Sequence, residues 1–183
     1  MFFDPKTFET PSRVDVNAPA TAIPVRADYD AKVNTPNVTD GKAISIQWGL
    51  VGDNGRGTVI RQTYFIEGTS ADDKARSVLA GTCKAIGFTK GLESLEVVDQ
   101  WLAQMVESAN PVTLVLEPEG NDSKYARVRY VNPCKAKGYT GTRIRAEFGG
   151  LITAMTAKAD ESAKRLESAR TANEGDLEGA LGI

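Results

Sequence analysis

Short runs in which apolar and polar residues alternate limit the folds open to this chain more than any other feature. In residues 25–33, VRADYDAKV, every second position is apolar and the positions between carry charge. Residues 43–51, AISIQWGLV, repeat the pattern, with Ile44, Ile46 and Trp48 on one face and serine, glutamine and glycine on the other. A period of two predicts half-buried β-strands, whereas a helix needs a period near 3.6.

A third strand and two helices follow. The glycine-rich turn GDNGRG leads into TVIRQTYFIEG, which reads as the third strand. Apolar residues at helical spacing then predict one helix with Ser70 at its N-cap and Gly87 at its end, and a second helix from near Ser94 to the Asn110–Pro111 stop.

Two further strands complete the order. VTLVLEPEG and YARVRYV alternate again, separated by the turn residues GNDSK. Three strands, a helical connection and two strands are the order of the OB-fold, a five-stranded, partly open barrel. We therefore expect a mostly β protein with that fold and an α-helical connection between strands 3 and 4. Other small barrels and α+β folds share the same order.

Composition divides the chain into three parts around one domain. Residues 1–22 contain three prolines without a sustained period and predict an N-terminal arm. Residues 23–149 form the expected OB-fold domain. Residues 150–183 predict a weak helix on a thin apolar stripe, followed by a mobile acidic tail.

Residue types and patterns that the sequence lacks argue against several classes of function. The chain has no histidine, which removes the usual general base and the commonest metal ligand. Its two cysteines show no CxxC spacing, and we expect no metal site and no cofactor. The N-terminus lacks the pattern of a secretory signal, and no apolar run is long enough to span a membrane. These features predict a cytoplasmic protein that is not an enzyme.

Positive charge is concentrated in one stretch although the net charge is −2. Residues 124–145, KYARVRYVNPCKAKGYTGTRIR, hold seven Lys or Arg and three Tyr, with no Asp or Glu. Cations can replace the counterions of a phosphate backbone, and flat rings can stack on unpaired bases. The pattern therefore predicts a site for single-stranded nucleic acid.

The candidate contacts fall into three groups. Strand alternation places Tyr125, Arg127 and Arg129 on one face, and it places Tyr130 on the other face as core. Trp48 is also predicted to be core. For Phe65 the pattern favours neither stacking on bases nor packing in the core. The remaining candidates are basic or aromatic residues of a loop or extended segment and of the second hairpin: Lys135, Lys137, Tyr139, Arg143, Arg145, Arg56 and Arg61.

The last ten residues, EGDLEGALGI, hold three acids and no base. Such a tail can occupy its own basic groove, leave when DNA arrives and recruit other proteins. The residues expected to act in this way are Glu174, Asp176, Leu177, Glu178, Leu181 and Ile183. An ordinary disordered tail is the alternative interpretation.

The segments ADYDAKV, GRGTVIRQTYFI, CKAIGF and YARVRYVNP resemble phage-encoded single-stranded DNA-binding proteins of replication and recombination modules, over about residues 23–133. The resemblance implies an OB-fold, sequence-independent binding and protection of single strands, and an acidic tail that contacts replication or recombination proteins. It implies DNA contact for Arg61, Tyr125, Arg127 and Arg129. The chain ends Leu-Gly-Ile, without the terminal aromatic residue of the bacterial tail pattern.

Two other classes of function compete with DNA binding. Glu117, Glu119, Asp122 and Lys124 crowd one turn, as carboxylates and a lysine do in some magnesium nucleases, but their spacing fits no nuclease pattern. A structural or assembly protein of a phage, which binds protein rather than DNA, is the second alternative. The sequence leaves a homodimer open.

Overall fold

The computed structural model describes the backbone of residues 13–181, and the side chains of residues 13–121 and 125–173. Five strands and four helices make up this part of the chain, with a short 3-10 turn before the second helix. Their bounds are β1 Ala20–Thr35, β2 Val38–Leu50, β3 Val59–Glu67, α1 Asp72–Ala85, the 3-10 turn Leu95–Val97, α2 Val98–Ser108, β4 Val112–Glu119, β5 Asp122–Pro133, α3 Gly141–Glu147 and α4 Gly149–Leu181.

The strands form one antiparallel sheet in the order β3-β2-β1-β4-β5. The expected five strands are therefore present, with helices between the third and the fourth. The sheet is open: β3 pairs with β2 and β5 pairs with β4, so β3 and β5 are its two edges. The OB-fold itself is an interpretation that goes beyond this coarser description.

One face of the sheet packs against α1 and α2. Ile44, Ile46 and Trp48 of β2, predicted to share a face, are fully or almost fully buried there. They meet Leu102 and Met105 of α2 in a single apolar cluster. The prediction that Trp48 is core is confirmed, and its indole Nε1 donates to Gln62 Oε1 at 3.0 Å.

The opposite face of β1 and β2 is covered by α4. Gln47 is 3% exposed and donates from Nε2 to the carbonyl oxygen of Ala159 at 3.1 Å. A β-carbon at Gly49 would lie 2.7 Å from the Met155 side chain and 2.8 Å from that of Val25, so both side chains would have to shift to admit a larger residue. Both faces of β2 are therefore buried, where alternation predicted a half-buried strand.

Two predicted boundaries differ from the structure. Helix α4 is continuous to Leu181, including the described residues that were expected to be a mobile tail. Its weak apolar stripe is supplemented by polar contacts with the sheet, among them Arg26 Nη1 to Asp160 Oδ1 at 2.6 Å. Residues 20–22, assigned to the arm by their composition, belong to β1 because they pair with β4.

Within residues 13–181, none of the helices combines the length and the apolar character that a membrane span requires.

Candidate nucleic-acid interface

Four side chains of β5 form an exposed surface, which we call the β5 platform: Tyr125, Arg127, Arg129 and Tyr130. The tyrosines are 63% and 55% exposed, and the arginines extend into solvent beside them. The Arg129 guanidinium lies 5.2 Å from the centre of the Tyr130 ring, within cation–π range. Guanidinium groups and flat rings on one strand can pair with phosphates and stack on bases.

The prediction that Tyr130 belongs to the core is wrong, and a β-bulge is the reason. Along β4 the partner changes from Val128 to Tyr130, so Arg129 is an extra residue in β5. One extra residue reverses the alternation beyond it. Val131 consequently packs against the inner cluster together with Val128, and Tyr130 joins the exposed surface.

Glu117 of β4 supplies the counter-charge to the platform. It pairs with Arg127 across the ladder, and its Oε1 accepts a hydrogen bond from Arg127 Nε at 2.6 Å. Its other oxygen lies 4.0 Å from Arg129 Nε. The carboxylate fixes the direction of the arginines and offsets part of their charge. Glu117 is one of the four residues that were considered above as a possible magnesium site. In the structure it forms ion pairs with the arginines of β5.

Arg61 of β3 lies across a cleft from the platform. The cleft has a volume of about 400 Å³ and runs between the two sheet edges, lined on one side by Arg61 and Thr63 and on the other by Tyr125 and Ala126. Arg61 donates from Nη2 to Ser45 Oγ at 2.9 Å, which directs its guanidinium along the face of the sheet that α4 covers. The structure thus brings Arg61 and Tyr125, two predicted contacts, to one opening.

A second opening on the other side of Arg61 adds a cation that the sequence did not indicate. It has a volume of about 350 Å³ and is lined by Arg61, Gln47 and Lys158. The Lys158 ammonium donates to the carbonyl oxygen of Gly57 at 3.2 Å. No local pattern singles out Lys158, because its place depends on how α4 packs on the sheet.

Phe65 is partly buried and lines a third opening, of about 640 Å³, together with Val78 and Lys74 of α1 and Val128 of β5. The ring therefore has both packing contacts and access to the gap between the edges. Arg61 and Phe65 line different openings, which share Thr63 of β3, and both remain candidates for contact with a ligand.

Arg56 is held at the β2–β3 turn. Its guanidinium lies 5.5 Å from the centre of the Phe148 ring, and Nη2 donates to Asp53 Oδ1 at 2.8 Å. Its Nε is buried without a hydrogen-bond partner among the described atoms. The structure places Arg56 against the junction of α3 and α4 rather than on the β5 platform.

The basic residues after β5, Lys135 to Arg145, do not form the single loop or extended segment that was expected. Arg143 and Arg145 lie on helix α3 and not in a loop or extended segment, since Thr140 caps the helix by accepting from the backbone N–H of Arg143 at 3.3 Å. Lys135 and Lys137 are exposed in the loop before it, and among the described residues neither has an ion-pair partner. Tyr139 is half-buried, with the Arg143 guanidinium 5.7 Å from its ring centre.

Arg145 points into the protein. It donates from Nη1 to the carbonyl oxygen of Ala109 at 2.9 Å and from Nη2 to that of Val106 at 2.6 Å. Burial lowers the pKa of its guanidinium from the ordinary arginine value. These contacts join α3 to the end of α2, so the geometry assigns Arg145 to packing in this state.

The predicted tail contacts lie partly outside the described residues. Helix α4 contains the backbone of Glu174, Asp176, Leu177, Glu178 and Leu181, while Ile183 falls beyond residue 181. In the part of the chain with described side chains, no group of three or more His, Cys, Asp or Glu residues has a geometry that could hold a metal ion.

No protein-family model matches this chain, and comparison with curated proteins and with solved structures gives no significant match.

Proposed function

We propose that this protein binds single-stranded DNA without sequence preference, across the β5 platform and the neighbouring gap between β3 and β5. The observation that carries the proposal is the placement of two exposed tyrosines and two exposed arginines on one edge strand. Stacking on tyrosine is open to every base, and arginine pairs with any phosphate. Neither contact requires a particular sequence.

The strand order supports an OB-type interpretation of the fold. The order β3-β2-β1-β4-β5 would become a barrel if its edge strands met, and those edges already line a common cleft through Arg61 and Tyr125. OB barrels are partly open and bind oligonucleotides with a strand face and its adjoining loops. Lys135 and Lys137 lie in the loop that follows β5 and would extend the contact along the strand of DNA.

The biological role that we propose is protection of single strands during phage DNA replication or recombination, in the host cytoplasm. The acidic C-terminal segment would recruit replication or recombination proteins, since its acids and aliphatic residues suit a basic, partly apolar partner surface. This role rests on the resemblance of segments within residues 23–133 and on the charge of the β5 platform.

A titration of fluorescent oligo(dT) tests the proposal. Anisotropy should rise on addition of the full chain, and the affinity should fall steeply between about 50 and about 200 mM salt, because phosphate contacts release counterions. A duplex of the same length should bind more weakly, since its bases are not free to stack. Absence of binding to oligo(dT) at low salt would refute DNA binding and favour the protein-binding alternative.

The double variant Arg127→Ala/Arg129→Ala tests the site separately. Losing two phosphate contacts should reduce the salt slope by about 1.4, at about 0.7 per contact for single strands. Lys164→Ala/Arg165→Ala is the matched control, because it removes two cations from exposed positions on α4, one of which pairs with Glu161 as Arg127 pairs with Glu117. Equal losses in both double variants would show that the platform is not the site.

A further inference from the structure

An apolar groove lies on the side of the sheet opposite α4, between α1, the loop after it and the start of α2. Its volume is about 450 Å³. Phe88 and Trp101 form one wall, with their rings in an edge-to-face contact at 5.3 Å between centres. Aliphatic residues of β2, β3, α1, the loop and the 3-10 turn form the rest: Ile44, Ile66, Leu79, Leu92 and Leu95.

The rim of this groove is positively charged. Arg76, Lys84 and Lys90 line it, with Glu67 as the acid among the lining residues. Arg76 pairs with Asp73 at 2.7 Å, so Lys84 and Lys90 carry most of the positive charge of the rim. Glu67 is already neutralised by Lys42, whose ammonium lies 2.5 Å from its Oε2. An occupant should therefore combine aliphatic side chains with negative charge.

The C-terminal segment of this chain has that composition. Residues 171–183, TANEGDLEGALGI, carry three acids, no base and the aliphatic residues Leu177, Leu181 and Ile183. In a helix, Leu177 and Leu181 are four positions apart and share a face, as in helices that lie in apolar grooves of their partners. Charge and pattern thus both match the groove.

Helix α4 lies on the face of the sheet opposite to the groove of its own chain. Arg170 pairs with Asp30 of β1, on the face of the sheet that α4 covers, through two hydrogen bonds of 2.6 and 3.0 Å. The helix continues to Leu181, roughly 16 Å further at about 1.5 Å per residue. The groove lies on the opposite face of the sheet, which packs against α1 and α2. A helix that continues straight along this face of the sheet does not enter the groove of its own chain.

We propose that the groove beneath α1 and α2 receives the C-terminal segment of a second copy of this chain. Reciprocal exchange of the two segments gives a closed two-fold dimer. This contact uses neither the β5 platform nor the gap between β3 and β5. A C-terminal segment held in the groove of a second copy is not free to recruit another protein, so these two uses of the segment exclude each other.

Self-association of the full chain tests the proposal by complementation. A β-carbon at Gly91, on the groove wall, meets nothing within 4 Å, so Gly91→Phe places a ring over the groove while leaving the backbone unstrained. Leu177→Ser/Leu181→Ser removes the apolar residues of the segment. In sedimentation velocity, each variant alone should dimerise at least about tenfold more weakly than the natural chain, about 1.4 kcal/mol. A mixture should associate again, because one partner keeps its groove and the other keeps its segment.

One control, one further variant and a second measurement complete the test. Gly150→Phe adds the same ring at another open position, far from the groove, and should dimerise normally. Lys84→Glu reverses one rim charge on the exposed surface of α1 and should weaken association even if Gly91→Phe fails to fold. Trp101 fluorescence should report the contact, because this indole lines the groove.

The proposal is overturned if the natural chain stays monomeric up to about 100 μM, roughly the range in which weak contacts form. It is equally overturned if the groove variants dimerise like the natural chain or if the mixture fails to associate. Loss of association in Arg127→Ala/Arg129→Ala, with the groove variants unaffected, would place the acidic segment on the β5 platform instead.

Discussion

The Oε1 atom of Glu117 lies 2.6 Å from Nε of Arg127, so the exposed cations of β5 carry their own competitor for phosphate. A DNA phosphate that reaches Arg127 must displace or share this carboxylate. The same group orients the arginine, because an ion pair with a directed hydrogen bond holds the guanidinium in one position. In the proposed complex with DNA, Glu117 would therefore lower the affinity of the site while it fixes the position of Arg127.

Replacing Glu117 by glutamine should strengthen binding of oligo(dT) by about two- to fivefold at low salt. Glutamine keeps an oxygen that can accept from Arg127 but removes the negative charge, and exposed ion pairs contribute about 0.2–1 kcal/mol. The gain should shrink as salt rises, because both the pair and the DNA contact are screened. Anisotropy titrations at several salt concentrations measure both effects.

Glu96→Gln is the matched control for this experiment. Glu96 is an exposed glutamate in the 3-10 turn before α2, among residues that do not line the openings around Arg61. It changes the net charge of the protein by the same amount. Equal gains in both variants would mean that overall charge, and not the Glu117–Arg127 pair, controls affinity.

Tyr130 provides a test that separates stacking from charge. Its ring is exposed and lies beside Arg129, so Tyr130→Ala should cost about 1–3 kcal/mol of binding, the range for loss of one stacked base. Tyr130→Phe keeps the ring and should bind nearly as tightly as the natural chain. The salt slope should stay unchanged in both variants, because no cation is removed. If Tyr130→Ala and Tyr130→Phe bind oligo(dT) with the same affinity, Tyr130 does not stack on a base.

The position of Tyr130 also shows where prediction from sequence ends. The strands were predictable because their alternation is a local pattern that follows from the β backbone. The bulge at Arg129 leaves no comparable signal in the sequence, yet it moves Tyr130 to the exposed side. A single extra residue therefore decided which aromatic rings belong to the candidate site.

The C-terminal third was less predictable for a different reason. Helix α3 has seven residues, and Arg145 holds it to α2 through backbone carbonyl groups that are distant in sequence. Helix α4 has a thin apolar stripe and docks partly through Gln47 and Asp30, side chains that belong to other elements. These are tertiary contacts, which a window of local residues does not contain.

Arg145→Ala should reduce stability without changing how binding depends on salt. Its guanidinium makes hydrogen bonds to the carbonyl oxygens of Val106 and Ala109 in a partly buried position, and unsatisfied buried acceptors cost about 1–3 kcal/mol. Urea denaturation of the full chain measures the loss. Arg143→Ala removes a cation two positions away that is exposed and should lower stability much less. A smaller salt slope for Arg145→Ala than for the natural chain would restore Arg145 as a DNA contact.

The start of α1 gives a prediction for acid pH. Ser70 was expected to cap this helix, but the N-cap residue is Ala71, and the side chain of Asp72 organises the turn instead. Its carboxylate accepts from the backbone N–H of Gly68 at 3.2 Å, from that of Thr69 at 2.9 Å and from Thr69 Oγ1 at 2.8 Å. Burial by itself raises the pKa of Asp72, but these hydrogen bonds and the charge of Arg76 outweigh it, and the net effect lowers the pKa.

A lowered pKa in the native state means that the unfolded chain takes up the proton first as pH falls. The contribution of Asp72 to stability is therefore complete above its unfolded pKa, near 3.9, and is lost as pH falls through the lower native pKa. Urea denaturation at neutral pH should show Asp72→Asn to be less stable than the natural chain, with a difference that narrows in acid. Thr69→Ala removes one donor but keeps the carboxylate, so its profile should lie between the two. A difference that stays constant from neutral to acid pH would contradict this account, because it would mean that the charge of Asp72 contributes nothing to the turn.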